Sequence, residues 1–227
     1  PDQGHKPARA ALGGGRHDGT DFAEIRLRPS YHELMDPESG YVRGAQIEFL
    51  DFAFRRYANG EGLRLEEFKP VDIVSISPRN DFFKTLSWKV DVGWTRRQLE
   101  SGAQRLVFEL NAGVGLARNM PDSLHGKTLI YAFLDASSRA DKRIGRGYAL
   151  GAGPSIGVIA DLTPNWRTDW YARGQRYFSG DTNTAWEAGL RQRYTLNTNN
   201  ALRLDVQRER QEQRSWNSAL ISLHHYF

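Results

Sequence analysis

From Leu86 onward the chemical character of the chain changes with every second residue. Leu86, Trp88, Val90, Val92 and Trp94 share one parity, and Ser87, Lys89, Asp91, Gly93 and Thr95 share the other. Leu106, Phe108, Leu110, Ala112, Val114 and Leu116 alternate in the same way with Arg105, Val107, Glu109, Asn111, Gly113 and Gly115. The stretch Tyr148 to Leu162 repeats the pattern against a row of Gly, Ser and Ala. Successive side chains of an extended strand point to opposite faces, so each segment carries one apolar and one polar or small face. The runs last about nine residues or more, whereas ordinary strands last about five or six. A tilted strand needs roughly 9–11 residues to cross hydrocarbon.

This period predicts strands near 6–14, 20–31, 44–56, 62–76, 85–96, 104–117, 127–137, 147–162, 166–178, 184–196, 201–210 and 217–227. The expected fold is therefore all-β: a transmembrane antiparallel barrel of about 12 strands with both termini periplasmic. Residues 1–227 read as a single barrel domain, the C-terminal part of a longer protein. Parity switches at Phe49–Leu50 and around Val71–Val74 predict bulges. A short helix is expected at Tyr31–Met35, before the Asp36–Pro37 break. The inner turns Thr163–Asn165 and Asn197–Asn200 are short. The outer connections Gly13–Thr20, Arg55–Gly62, Arg96–Gln104, Ser138–Arg146, Ser179–Thr184 and Arg208–Ser215 are expected to be longer or charged.

Composition removes several alternatives. Hydrophobic residues make up 39% of the 227, and no run of about 18 apolar residues occurs, which excludes a helical membrane protein. PDQGHKPARA has no apolar segment of a signal peptide. Without cysteine there are no disulfides, thiolate nucleophiles or Cys-based zinc sites. Net charge is +4, but the 31 basic and 27 acidic residues are interspersed, so no nucleic-acid stripe is formed. No HxxxH or similar metal-ligand spacing is present, and Gly13–Gly15 lack the strand–helix setting of a phosphate loop. No metal or cofactor is expected.

Aromatic residues fall at strand ends: Trp166 and Trp170 begin one strand and Phe178 ends it, while Trp186 and Tyr194 bracket the next. The interval from Trp166 to Phe178 corresponds to roughly 40 Å of strand and roughly 30 Å of height at about 40° tilt. Two interfacial girdles would have that separation. The opposite face holds Lys89, Asp91, Glu109, Arg167, Asp169, Arg173, Glu187, Arg191, Arg193, Arg203 and Asp205. In a membrane barrel these charges line the lumen. Arg167, Arg173, Arg191, Arg193 and Arg203 are expected to meet Asp91, Glu109, Asp169, Glu187 and Asp205 across neighbouring strands. The terminal segment, with Ala219, Ile221, Leu223 and Phe227 on one parity, resembles the last strand of bacterial outer-membrane barrels. In those proteins the final aromatic residue is part of the signal read by the barrel assembly machinery.

The first third carries a more specific resemblance. DGTDFAEIRLRPSYHELMDPESGYVRGAQIEFLDF (18–52), followed by VDIVSISPRNDFFKTLSWKVDVGW (71–94), resembles the C-terminal region of bacterial proteins with an Lnb-type N-terminal periplasmic domain. It covers roughly residues 6–95. The resemblance implies a barrel that follows a periplasmic domain, with any acyl-transfer chemistry residing in that domain.

Three functions follow: a membrane anchor and scaffold for a periplasmic domain or protein, a narrow anion-favouring channel, or a lipid-modifying enzyme of the outer membrane. His224 and His225 with Ser222 are candidates for base and nucleophile, Ser222 and His224 lying two residues apart on one strand face, as are His32 with Ser30 and Glu33, but no acidic partner is evident for the first group. The chain by itself is not read as an enzyme, and His32 is assigned to a structured periplasmic turn. Expected partners are outer-membrane lipids, lipopolysaccharide phosphates at Arg139, Lys142, Arg143 and Arg146, the assembly machinery through Phe227, and a periplasmic domain.

Overall fold

The computed structural model describes residues 4–60, 62–80, 82, 84–98, 104–120, 127–211 and 214–227. Its strands are β1 (Arg9–His17), β2 (Thr20–Arg28), β3 (Ser30–His32), β4 (Ala45–Tyr57), β5 (Arg64–Ser75), β6 (Ser87–Gln98) and β7 (Gln104–Asn119). They continue as β8 (Thr128–Ala140), β9 (Tyr148–Thr163), β10 (Trp166–Gly180), β11 (Asn183–Asn197), β12 (Asn200–Gln211) and β13 (Arg214–Tyr226). Consecutive long strands pair antiparallel, β1 pairs with β13, and β2 pairs with β4. Every strand but β3 thus joins a closed ring of twelve. Closure leaves no unpaired edge, which a lipid environment demands. The ring has an even strand count, so both termini lie at one end, the periplasmic one.

The two faces of the wall show which way the barrel is turned. Leu110, Ile156 and Phe178 are 44%, 57% and 63% exposed, whereas Glu109, Asp135 and Asp169 inside are 6%, 1% and 0% exposed. Apolar residues outside and charges inside invert the order of a water-soluble barrel and fit a lipid surround. Trp166 and Tyr194 are register partners at the periplasmic rim, both projecting outward. Phe52, Phe68, Trp94 and Phe108, one from each of β4 to β7, form an aromatic ladder with centroids 4.5, 5.7 and 5.2 Å apart. Such contacts contribute about 0.5–1.5 kcal/mol each beyond area burial.

Several boundaries differ from the sequence reading. β1 begins later and runs through Gly13–Gly15, which had been assigned to a loop. The turn is only Asp18–Gly19, with φ of 45° and 82°, the positive pair that a two-residue hairpin needs. Gly15 stays glycine because an added Cβ would lie 2.2 Å from the Ala219 carbonyl oxygen. The parity switch at Phe49–Leu50 is present: Gln46 and Glu48 face inward before it, Asp51 and Ala53 after it, and Leu50 takes φ 58°. Register shifts also occur between Ala53 and Phe54 and between Phe68 and Val71, earlier than Val71–Val74. Among the fully described connections opposite the termini, Asp18–Gly19 and Asp181–Thr182 are two residues long and 141–147 is seven. Charged residues read as loop, such as Arg139 and Arg208, instead extend the strands, and β10 meets β11 across Asp181–Thr182. The expected connections 55–62, 96–104 and 208–215 fall partly outside the described residues.

The expected helix at Tyr31–Met35 is absent. Pro29 ends β2 because it has no N–H for the ladder, β3 then pairs with β4 along the same edge, and the chain turns inward. Hydrogen bonds to strand neighbours and to inward side chains replace helical ones there.

Candidate functional site

Residues 30–44 fold into the periplasmic end of the barrel as a plug. Leu34, Met35 and Asp36 are buried at its tip. Leu34 packs with Ile76, just beyond β5, and with Ala117, Leu129, Tyr131, Phe133 and Ile159, an apolar patch on the inner wall of β7 to β9. β8 is therefore apolar on both faces at this level, since Ile130 and Leu134 project outward. Burying a Leu side chain in such a patch contributes about 1.5–3 kcal/mol.

Polar clamps hold the rest of the plug. Arg9 of β1 pairs with Glu33 and reaches Asp36 at 3.3 Å. Arg28 of β2 holds Asp36 at 2.6 Å and Glu48 at 2.9 Å. Arg203 of β12 donates to Glu33 at 2.6 Å, and the Tyr226 hydroxyl donates to Asp36 Oδ1 at 2.8 Å. Arg167 of β10 donates to the Leu34 carbonyl at 2.8 Å and pairs with Glu38 and Asp161, each at 2.6 Å. The plug is thereby tied to strands all round the ring. Burial alone would raise the Glu33 carboxyl; the guanidiniums of Arg203, Arg9, Arg191 and Arg28 overcome it and hold that carboxyl well below its ordinary value. Asp36 is likewise held down by Arg28 and Arg9 against its burial.

Behind the plug two histidines stack. His32 and Tyr41 rings are 4.1 Å apart and His5 and Tyr41 4.5 Å, and His5 also meets Tyr226. Burial lowers the pKa of both imidazoles, His32 to about 4.

Above the plug lies a cavity of about 420 Å³ lined mainly by charged and polar residues. Lys89 reaches Asp135 at 3.0 Å and Ser155 at 2.9 Å, and Asp91 accepts from Asn111 at 2.8 Å. Arg173 lies 3.2 Å from Asp135 and donates to Ser137 at 2.7 Å. Near the mouth Glu109 is held by Arg97 at 3.0 Å and Arg139 at 2.9 Å, and Arg97 also bonds Glu209 at 3.0 Å. Trp216 of β13 donates to Gln98 of β6 at 2.5 Å.

The expected lumen residues do gather inside, and Asp169 meets its register partner Arg191 on the neighbouring strand as expected. The other pairings differ: Arg203 lies 2.9 Å from Asp205 on its own strand. Arg167 goes to Asp161 and Arg173 to Asp135, while Glu187 lines the cavity. Buried Arg193 donates to Thr195 and has no carboxylate partner among the described residues. The reason is geometric: long guanidinium side chains reach along and across the lumen, not only to the next strand. Of the acids that matter most, Asp36 and Asp135 escaped the sequence reading, and Glu33 entered it only as a candidate beside Ser30 and His32, not as a partner of Arg9 and Arg203. Asp135 had a visible signal, a lone carboxylate on the parity of Leu129, Tyr131 and Phe133. The plug acids had none, because nothing local shows that a turn folds inward.

Ser222 Oγ and His224 Nε2 lie 2.9 Å apart, but on the inner face and buried, away from lipid. Ile221, Leu223 and Phe227 face outward, as the terminal-strand pattern requires.

Structural comparison returns porin-like barrels. The chain is similar to the NanC porin at 11% identity, TM-score 0.52, with 96% of this chain and 99% of the other covered. It is similar to the KdgM porin in complex with disordered oligogalacturonate at 7% identity and TM-score 0.51, with 96% and 99% covered. The COG4313 outer membrane channel from Pseudomonas putida F1 matches at 9% identity and TM-score 0.51, with 100% and 99% covered. At these identities the likeness establishes the barrel fold of the outer-membrane type. No curated protein matches the sequence. A family model described as "Domain of unknown function (DUF7840)" matches residues 1–226.

Proposed function

The chain therefore belongs to the DUF7840 family, and we propose that its barrel is a self-closed outer-membrane anchor that holds and positions a periplasmic domain or protein. The observation that carries this reading is that the lumen is crossed at two levels. The plug fills the periplasmic end, and Arg97 of β6 bonds Glu209 of β12 near the mouth. A wall braced across its own interior suits a rigid mount better than a conduit. The plug also presents its outer side to the periplasm, next to the N-terminal segment. The identity of the mounted domain as Lnb-type rests on the resemblance over residues 6–95. Lipids would surround the outward belt, lipopolysaccharide phosphates would meet Lys142, Arg143 and Arg146 while Arg139 is engaged with Glu109 inside the barrel, and Phe227 would serve the assembly machinery.

Reconstitution in planar bilayers tests the reading, with silence expected. A second reading, a narrow anion-favouring channel, is supported by the cavity of about 420 Å³ and by the porins and channel among the structural neighbours. Steady currents with anion preference would replace the anchor by the channel. Lipid modification is the least supported: Ser222 and His224 are buried inside. Phospholipid cleavage abolished by Ser222→Ala would reinstate it.

A further inference from the structure

His5, His32 and Asp36 come from two separate stretches of chain, the N-terminal segment and the plug. His5 Nε2 lies 3.0 Å from His32 Nδ1 and 3.9 Å from Asp36 Oδ2, and His32 Nδ1 lies 4.0 Å from the same oxygen. The three atoms form a triangle with one short and two longer, nearly equal edges. A point equidistant from its corners is about 2.1 Å from each, the bond length zinc takes to imidazole nitrogen and carboxylate oxygen. We propose that His5, His32 and Asp36 form a divalent transition-metal site, zinc being the best match, which staples the N-terminal segment to the plug.

One further feature supports a cation here. His5 Nδ1 sits 2.6 Å from the Lys6 carbonyl oxygen. A proton on Nδ1 donated to that carbonyl leaves the Nε2 lone pair facing His32, the outer-shell arrangement that orients metal-binding imidazoles. Arg28 competes for Asp36 Oδ2, but it keeps Glu48 as a partner at 2.9 Å when an ion takes that oxygen. Tyr41 and Tyr226 pack against the rings and limit their rotation. His32 and Asp36 are four residues apart but His5 is 27 residues from His32, so no sequence motif marks the site.

The test uses the tag-free full chain, folded in detergent, stripped with chelator and exposed to zinc alone. One zinc per chain should survive gel filtration, and the melting temperature should rise with zinc concentration, as binding to the folded state requires. His5→Ala and His32→Ala should each weaken retention about 10–100-fold. Asp36→Asn removes a carboxylate that Arg9 and Arg28 share and can unfold the plug, so the histidine variants decide. His5 lies outside every strand, and its variant should keep the heat-modifiable gel migration of the wild-type barrel. Failure of the wild type to retain zinc overturns the site, as does equal retention by the His5→Ala/His32→Ala double variant. In either case the two imidazoles merely share a proton.

Discussion

Arg97 and Glu209 bond at 3.0 Å across the full width of the barrel, from β6 to β12, which stand six places apart either way round the ring. Arg97 also grips Glu109 on the neighbouring β7. One side chain therefore fastens both the near wall and the far wall of the mouth.

Removing the far bond should open the mouth without harming the barrel. Glu209 is about one-third exposed, so Glu209→Gln should cost less than about 1 kcal/mol of stability. Bilayers with this variant should stay silent while the plug is in place. Currents from Glu209→Gln alone would mean that the plug does not seal the periplasmic end.

The plug should be the larger barrier. Arg9→Ala leaves Glu33 and Asp36 short of a buried partner, and losing one member of a buried pair costs about 3–5 kcal/mol. A clear fall in melting temperature is expected, together with flickering conductance when Arg9→Ala and Glu209→Gln are combined. A double variant that melts like the wild type would contradict the clamp.

The outward face should reject charge. Leu110→Lys and Ile156→Lys place a cation in hydrocarbon at about 2–4 kcal/mol each and should reduce assembled barrel in membranes. Gln207→Lys faces the cavity beside Glu209 and should assemble normally. Equal loss for all three, read from heat-modifiable migration, would invalidate the assigned faces.

Acid should loosen the plug, but only well below neutrality. The pKa values of Glu33 and Asp36 are depressed in the folded chain, Glu33 well below its ordinary 4.5 and Asp36 below 3.8. Such groups add stability that is fully present above the unfolded-state value and is lost as pH falls through the folded one. Melting temperature should thus lose this contribution only below about pH 4, and the loss should shrink in Glu33→Gln. A plug contribution lost already between pH 7 and 5 would refute this assignment.

The barrel itself was legible in the chain. Alternation such as Leu106–Leu116 against Arg105–Gly115 fixes which residues share a face, and the length of the runs fixes a membrane-crossing span, because both depend on local backbone geometry alone. The parity switch at Leu50 could be read for the same reason. Strand ends could not, since charged residues such as Arg139 and Arg208 look like loop until a neighbouring strand offers them hydrogen bonds. Tertiary structure alone decided the interior. Arg97 finds Glu209, and Arg9 finds Glu33, only once closure brings distant strands within reach of long side chains. The sequence offers a short helix at Tyr31–Met35 and a periplasmic turn at His32, and only the apolar inner patch around Tyr131 and the surrounding guanidiniums draw this segment inside. Alternation determines on which face a residue lies, but the partner it meets there depends on the curvature and closure of the whole sheet.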